Sequence, residues 1–173
     1  MCIRDSVSHA LDEVSQLADY LVLMENGKVI GQGELQKKLT TLESPLADAN
    51  DAESVVEAKV QAYDAAYDLT LLESQIGPVT VVGKVDSSLE KIRLRLAARD
   101  ISITIEQQQG TSILNIFPAR VDQIKPIGDA LMVVKLIIND VPILARVTKK
   151  SAEGLQLSYG QQVYAQVKSV ALL

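Results

Sequence analysis

His9 is the only histidine in the chain, and it sits in the run Val7-Ser8-His9-Ala10-Leu11-Asp12-Glu13. A lone imidazole suits proton-transfer and hydrogen-bond work, because it can donate or accept near pH 7. Cys2 is equally solitary, which excludes an internal disulfide framework and any cysteine-based zinc cluster. No G-x-x-x-x-G-K-[ST] run occurs, so the sequence offers no phosphate-cradling loop of that kind. Tyr63-Asp64 and Tyr67-Asp68 concentrate polar groups and read as a turn between strands. Arg93 and Arg95 alternate with Ile92, Leu94 and Leu96, the pattern of a half-buried strand whose cations face solvent. Lys149-Lys150 reads as a charged loop tip.

The composition narrows the classes further. The 173 residues carry 17 Lys+Arg against 22 Asp+Glu, a formal net charge of −5. That length suffices for one ordinary domain or two small ones with a real core. The acidic balance argues against nucleic acid as a partner, since such binding rests on cations that neutralise phosphates. Aromatics make up 3%, with no Trp, which removes the stacking platform used by single-strand binders. No apolar run approaches the roughly 18 residues of a membrane span. The expectation is a soluble, cytoplasmic, β-rich protein.

Positioning elements follow from periodicity. Residues 1–6 (MCIRDS) have no useful period and are expected to be a non-native start, like those that sequencing adapters leave on assembled gene fragments. The alternative is a disordered N-terminus. Ala10 to Leu21 places Leu11, Val14, Leu17, Ala18 and Leu21 on one helical stripe, with Asp12 and Glu13 in the first turn where the dipole favours acids. Leu21–Met24 reads as a strand, Asn26-Gly27 as a type I′ turn, and Val29-Ile30 as the returning strand. A second helix is expected over Glu34 to Leu42. Ser44 to Ser54 (SPLADANDAES) is acidic and apolar-poor, which marks a linker over 44–54 between a piece at 7–43 and a domain at 55–173.

Beyond the linker the period becomes two. Strands are expected over Val55–Ala62, Leu69–Glu73, Val79–Gly83, Lys91–Ala98, Ile113–Val121, Leu131–Ile138, Ile143–Val147 and Gln161–Val170, separated by Gly, Pro and Asn-Asp turn signals. Short strands so spaced indicate a sandwich or a small barrel. A faint repeat is also present. Val60, Tyr67–Leu72 and Gly77-Pro78-Val79 resemble Val121, Leu131–Leu136 and Val141-Pro142-Ile143, and Ile92–Leu96 resembles Val163–Val167. Two related β units sharing one core are therefore expected.

The run Val7–Glu13, with Ala18-Asp19, Glu25-Asn26-Gly27-Lys28-Val29 and Gly31-Gln32-Gly33 after it, resembles the switch-histidine loop of ABC transporter ATPases. The resemblance implies that His9 contacts the ATP γ-phosphate in an intact member of that family. The Walker A loop, Walker B strand and signature Ser-Gly-Gly are absent from this sequence, so the chain is expected to be inactive towards ATP by itself. ATP and Mg²⁺ would belong to the intact subunit.

A second resemblance follows in Thr111-Ser112-Ile113-Leu114-Asn115, Val147-Thr148-Lys149-Lys150-Ser151 and Val167-Lys168-Ser169-Val170. These runs resemble the molybdate-binding Mop domain found at the C-terminus of molybdate ABC transporter ATP-binding subunits. The resemblance implies an OB-like Mop/TOBE β-barrel over 55–173, with the motif region at 111–173, after a small α+β piece from the end of a P-loop ATPase domain. It also implies Ser112, Ser151, Lys168 and Ser169 as oxyanion contacts, with Asn115 orienting the loop. Lys168 supplies charge and the serines supply directional donors. Such sites lie between subunits, which implies a homodimer through the Mop domain. Leu114 stands where many Mop domains carry Arg, which removes one charged donor.

The combined expectation is part of a molybdate-import ATP-binding subunit, with a membrane permease as partner at the inner face of the membrane. Its C-terminal domain would serve dimerisation and molybdate or tungstate binding. Two other readings use the same architecture: an importer subunit for sulfate, iron or a sugar, and a free molybdate-storage module.

Overall fold

In the computed structural model, residues 6–8 and 10–173 are described; the expectations for residues 1–5 and for His9 lie outside them. Helix α1 spans Leu11–Leu17, followed by a hairpin of β1 (Tyr20–Glu25) and β2 (Lys28–Glu34). Asn26 and Gly27 close that hairpin with φ of 49° and 76°, the left-handed pair that a type I′ turn requires. Helices α2 (Leu35–Leu39) and α3 (Pro45–Asp48) lead into the β body.

The β body is built twice from one plan. The first unit holds β3 (Glu53–Asp64), β4 (Leu69–Ser74), β5 (Gly77–Val82) and β6 (Ile92–Ala97), and a 3-10 turn at Ala98–Asp100 leads on to β7 (Ile101–Thr104). The second holds β8 (Asn115–Ile127), β9 (Leu131–Ile138), β10 (Val141–Thr148), α4 (Lys149–Gly154), β11 (Gln162–Val167) and β12 (Ala171–Leu172). The sheets run β12-β6-β3-β4-β5 and β7-β11-β8-β9-β10. Each unit thus donates its last strand to the other: β7 follows β6 in the chain but pairs with β11, and β12 follows β11 but pairs with β6.

Details repeat as well. The first strand of each unit shifts register against the second, between Val60 and Ala62 and between Val121 and Gln123. Such bulges bend a long strand and let the sheet curl. The inward faces of both sheets merge in one core that includes Val56, Leu72, Leu94, Val121, Leu136 and Ile143. The repeat in the sequence corresponds to the equivalence of β4 with β9, β5 with β10 and β6 with β11 in the two units.

Two polar side chains, Ser54 and Asn115, clasp the units across their pseudo-two-fold relation. Ser54 Oγ, at the start of β3, accepts from Leu144 N–H on β10 at 2.9 Å. Asn115, at the start of β8, accepts from Thr80 N–H on β5 at 2.8 Å and donates to the Thr80 carbonyl at 2.9 Å. Ser54 is fully buried and Asn115 is 8% exposed, so each polar group sits where an unmade bond is costly.

Residues 44–54, expected as a linker, are packed against the β body. Ala47 and Ala52 are buried with Leu42, Val133 and Leu144. Lys125 reaches the Asp48 carboxylate at 2.8 Å, and Arg146 donates to the carbonyls of Asn50 and Ala49. The stretch looks linker-like because alanines bury little surface each and because Asp48 and Glu53 are met by partners distant in sequence. The face of β6 bearing Arg93 and Arg95, expected to meet solvent, is instead partly covered by α1.

Candidate functional site

Three strands end together at the site suggested by the second set of motifs. Asn115 opens β8 opposite Val167, the last residue of β11, and Val167 in turn pairs with Ile101, the first residue of β7. Ser112 and Leu114 lie just before that junction, and Lys168 and Ser169 just after it. Alternation along β8 and β11 sends Phe117, Ala119, Val163 and Ala165 inward, which fixes the direction in which the strand ends leave the barrel.

The backbone around this junction is held from both sides. Lys168 N–H donates to the Asp100 carbonyl at 2.9 Å, and Asn115 is locked to Thr80. Thr111 Oγ1 accepts from Ile113 N–H at 3.2 Å, a short hydroxyl turn that shapes the approach to β8. Ser112, Lys168 and Ser169 are exposed. Leu114 is 65% exposed and offers no donor. The arrangement presents two hydroxyls and one ammonium on a fixed backbone, a donor set suited to an oxyanion.

Ser151 is elsewhere. Thr148 caps α4, its Oγ1 accepting from Ser151 N–H at 3.0 Å, while the two hydroxyls share a bond of 2.8 Å. Register places Thr148 against Leu131, and Leu131 against Ile127 at the far end of β8. The sheet therefore sets Ser112, Asn115, Lys168 and Ser169 at one end of β8 and Ser151 at the other. Asn115 has both side-chain polar atoms engaged by Thr80, which makes it the anchor beneath the junction.

Sequence reasoning gave no role to Thr80, Asp100 or Arg99. The first two contribute backbone groups, which no side-chain pattern reveals. Arg99 is exposed on the 3-10 turn, one residue before the Asp100 that binds Lys168, so a second cation stands near this end. A shallow depression of about 330 Å³ between Pro118, Arg120, Asn139 and Gln162 contains none of the expected contacts.

Residues 111–173 match the family model of the TOBE domain. Over 96% of its length the chain is 39% identical to the molybdenum import ATP-binding protein ModC of Aromatoleum aromaticum, covering 44% of that protein. It is 40% identical to ModC of Methylococcus capsulatus, over 96% of this chain and 47% of that one, and 42% identical to ModC of Albidiferax ferrireducens, over 96% and 45%. The chain spans about half the length of the curated relatives it matches. A crystal structure described as the cytoplasmic molybdate-binding protein ModG with molybdate bound superposes with a TM-score of 0.58 at 21% identity, covering 69% of this chain and 94% of that chain. That likeness concerns the fold, which is the mostly β, OB-like TOBE architecture expected from the sequence.

Proposed function

We propose that this chain, with its TOBE domain and its ModC relatives, is part of the ATP-binding subunit of a molybdate importer, in which the β body binds a tetrahedral oxyanion and joins two subunits. The observation that carries the reading is the gathering of Ser112, Lys168 and Ser169 at one strand end, exposed and without hydrogen-bond partners for their side chains among the described residues. Molybdate or tungstate is a dianion with four acceptor oxygens, and it is best met by fixed hydroxyls together with positive charge. Lys168 supplies one cation and Arg99 a second, which offsets the donor that Leu114 lacks. Ser151 lies at the opposite end of its unit, so a second copy of the chain brings it to the site.

Similarity to ModC extends over 96% of the chain, which favours a transporter subunit over a free storage module. The β1–β2 hairpin leaves Tyr20, Val22 and Met24 exposed on one side, an apolar face suited to burial in a larger subunit. The sequence contains no G-x-x-x-x-G-K-[ST] phosphate loop. No step of hydrolysis is therefore assigned to it. ATP and Mg²⁺ chemistry, a permease partner and a place at the cytoplasmic face of the membrane belong to the subunit as a whole.

Calorimetric titration of Lys168→Ala and Ser169→Ala with molybdate tests the site. Each substitution is expected to weaken binding by about tenfold or more, the size of one charge-assisted hydrogen bond. Wild-type affinity in both variants would place the ligand elsewhere and defeat the assignment.

A further inference from the structure

One cation ties α1 to the β body. Arg93 on β6 donates through Nη1 to the carbonyls of Ser15 at 3.3 Å, Gln16 at 3.2 Å and Ala18 at 2.8 Å, and its Nη2 pairs with Asp19. The last carbonyls of a helix have no partner within the helix, and a planar guanidinium with several donors can satisfy a group of them at once. Beside this cluster Ser15, fully buried, donates to Glu53, which also faces Arg95 at 3.7 Å.

The other end of the chain arrives at the same residue. The two residues of β12 pair with Arg95 and Leu94, and Leu173 N–H then donates to the Arg93 carbonyl at 3.0 Å. Leu173 packs against the buried cluster of Leu21, Leu35, Leu39 and Val55, which Leu11 and Val14 of α1 also meet. Between the end of β11 and the start of β12 lie only Lys168, Ser169 and Val170. A cleft of about 240 Å³ between Ala18, Asp19, Gln36, Gln75 and Arg93 leaves room for this contact to shift.

We propose that β12 and Arg93 form a relay that passes the state of the Lys168–Ser169 end to α1. A two-residue edge strand is marginal by itself and alternates between seated and frayed. An anion that fixes Lys168 and Ser169 restricts two of the three connecting residues, which lowers the entropy cost of seating β12. Seated, β12 holds Leu173 among the α1 and α2 leucines and steadies the strand from which Arg93 reaches the helix. The trigger rests on the oxyanion reading above, whereas the mechanical link does not.

Hydrogen exchange in the full chain tests both parts, read at Val14 and Ala18 N–H, which bond within the α1 segment, and at Leu35 N–H, which bonds to Asp19. Without ligand, Arg93→Ala and a chain ending at Val170 are expected to exchange these amides about tenfold faster, while β8–β10 amides keep their rates as the control for folding. Arg93→Lys, with one donor group in place of the fork, is expected to fall between. Unchanged α1 exchange in both the Ala variant and the shortened chain overturns the relay. With sodium molybdate as probe, exchange in α1 is expected to slow in the wild type, and Arg93→Ala to bind molybdate equally well without that slowing. A wild type that binds molybdate with no change in α1, or an Arg93→Ala chain that slows as much, also overturns the relay. No molybdate binding with the ligand-free effects intact overturns the oxyanion reading and the trigger and supports the link.

Discussion

Both polar atoms of Asn115 are met by the backbone of a single residue, the N–H and carbonyl of Thr80, so the side chain acts as an extra rung joining β8 to β5. Asn115→Ala leaves the partly buried Thr80 N–H without that acceptor and is expected to destabilise the chain by about 1–3 kcal/mol. Urea denaturation measures this, and a loss near zero would mean that water replaces the side chain without penalty. Ser54 plays the matching part with Leu144, and Ser54→Ala should behave similarly. The exposed Tyr63 offers a finer check. Its hydroxyl donates to Asp68 at 2.8 Å, and that bond is the main reason its pKa is raised above the ordinary phenol value, ahead of desolvation and the charges of Asp68 and Asp64. The neutral form is the one favoured, so the contribution to stability is present below the ordinary phenol pKa and fades as pH rises through the raised one. Asp68→Asn is expected to bring the Tyr63 titration back down, read as a difference in phenolate absorbance against the wild type. At this scale short motifs singled out Ser112, Lys168 and Ser169 in the sequence, and all three flank the Asn115–Val167 junction at one end of β8, while their role towards an oxyanion is the proposal above. Asn115 was read as orienting the loop, but its partner Thr80 was not legible, because that partner is backbone in another strand.

Among the elements, the N-terminal piece depends most on its neighbours. α1 has seven residues and α2 five, too few to hold a helix in water without tertiary packing. Leu35 and Leu39 of α2 bury with Val55 of the β body, and Leu11, Val14 and Leu173 pack against that cluster, which substitutes for a larger apolar surface, whereas Leu17 of the expected apolar stripe is 76% exposed. Leu39 is 1% exposed in that cluster, and Leu39→Ala is expected to cost about 2–5 kcal/mol through lost burial and the cavity left behind. The loss should show as faster exchange across residues 11–42, and an effect confined to α2 alone would contradict the shared cluster. The period-two pattern located eight strands, with Leu131–Ile138 matched at both ends. It missed β7 and β12, which are short and take their identity from pairing with the other unit. It also ended β8 early, since Ile113–Val121 stops at the bulge where alternation breaks, while the strand runs on to Ile127. Helix α4 was read as a loop tip because its start is set by the Thr148 cap, a signal of one residue.

For the molecule as a whole, the exchanged strands and common core make the two β units one thermodynamic body. Neither unit closes its sheet without a strand from the other, so residues 53–173 are expected to unfold in a single transition, with far-ultraviolet circular dichroism and β-sheet hydrogen exchange coinciding. Two separated transitions would show that the units fold independently. The same construction fixes the relation between the strand end at Lys168 and the N-terminal piece, and it keeps Ser151 away from that end within one chain. If Ser151 also contacts the oxyanion, as proposed, a second copy supplies it, and molybdate is then expected to favour the dimer in sedimentation. The most direct test of the account is calorimetric titration of the full chain with molybdate, with sulfate as the control. Saturable heat with molybdate, accompanied by dimerisation and much weaker with sulfate, is the predicted result. A chain that stays folded and takes up neither anion would contradict the assignment of Ser112, Lys168 and Ser169 as an oxyanion site.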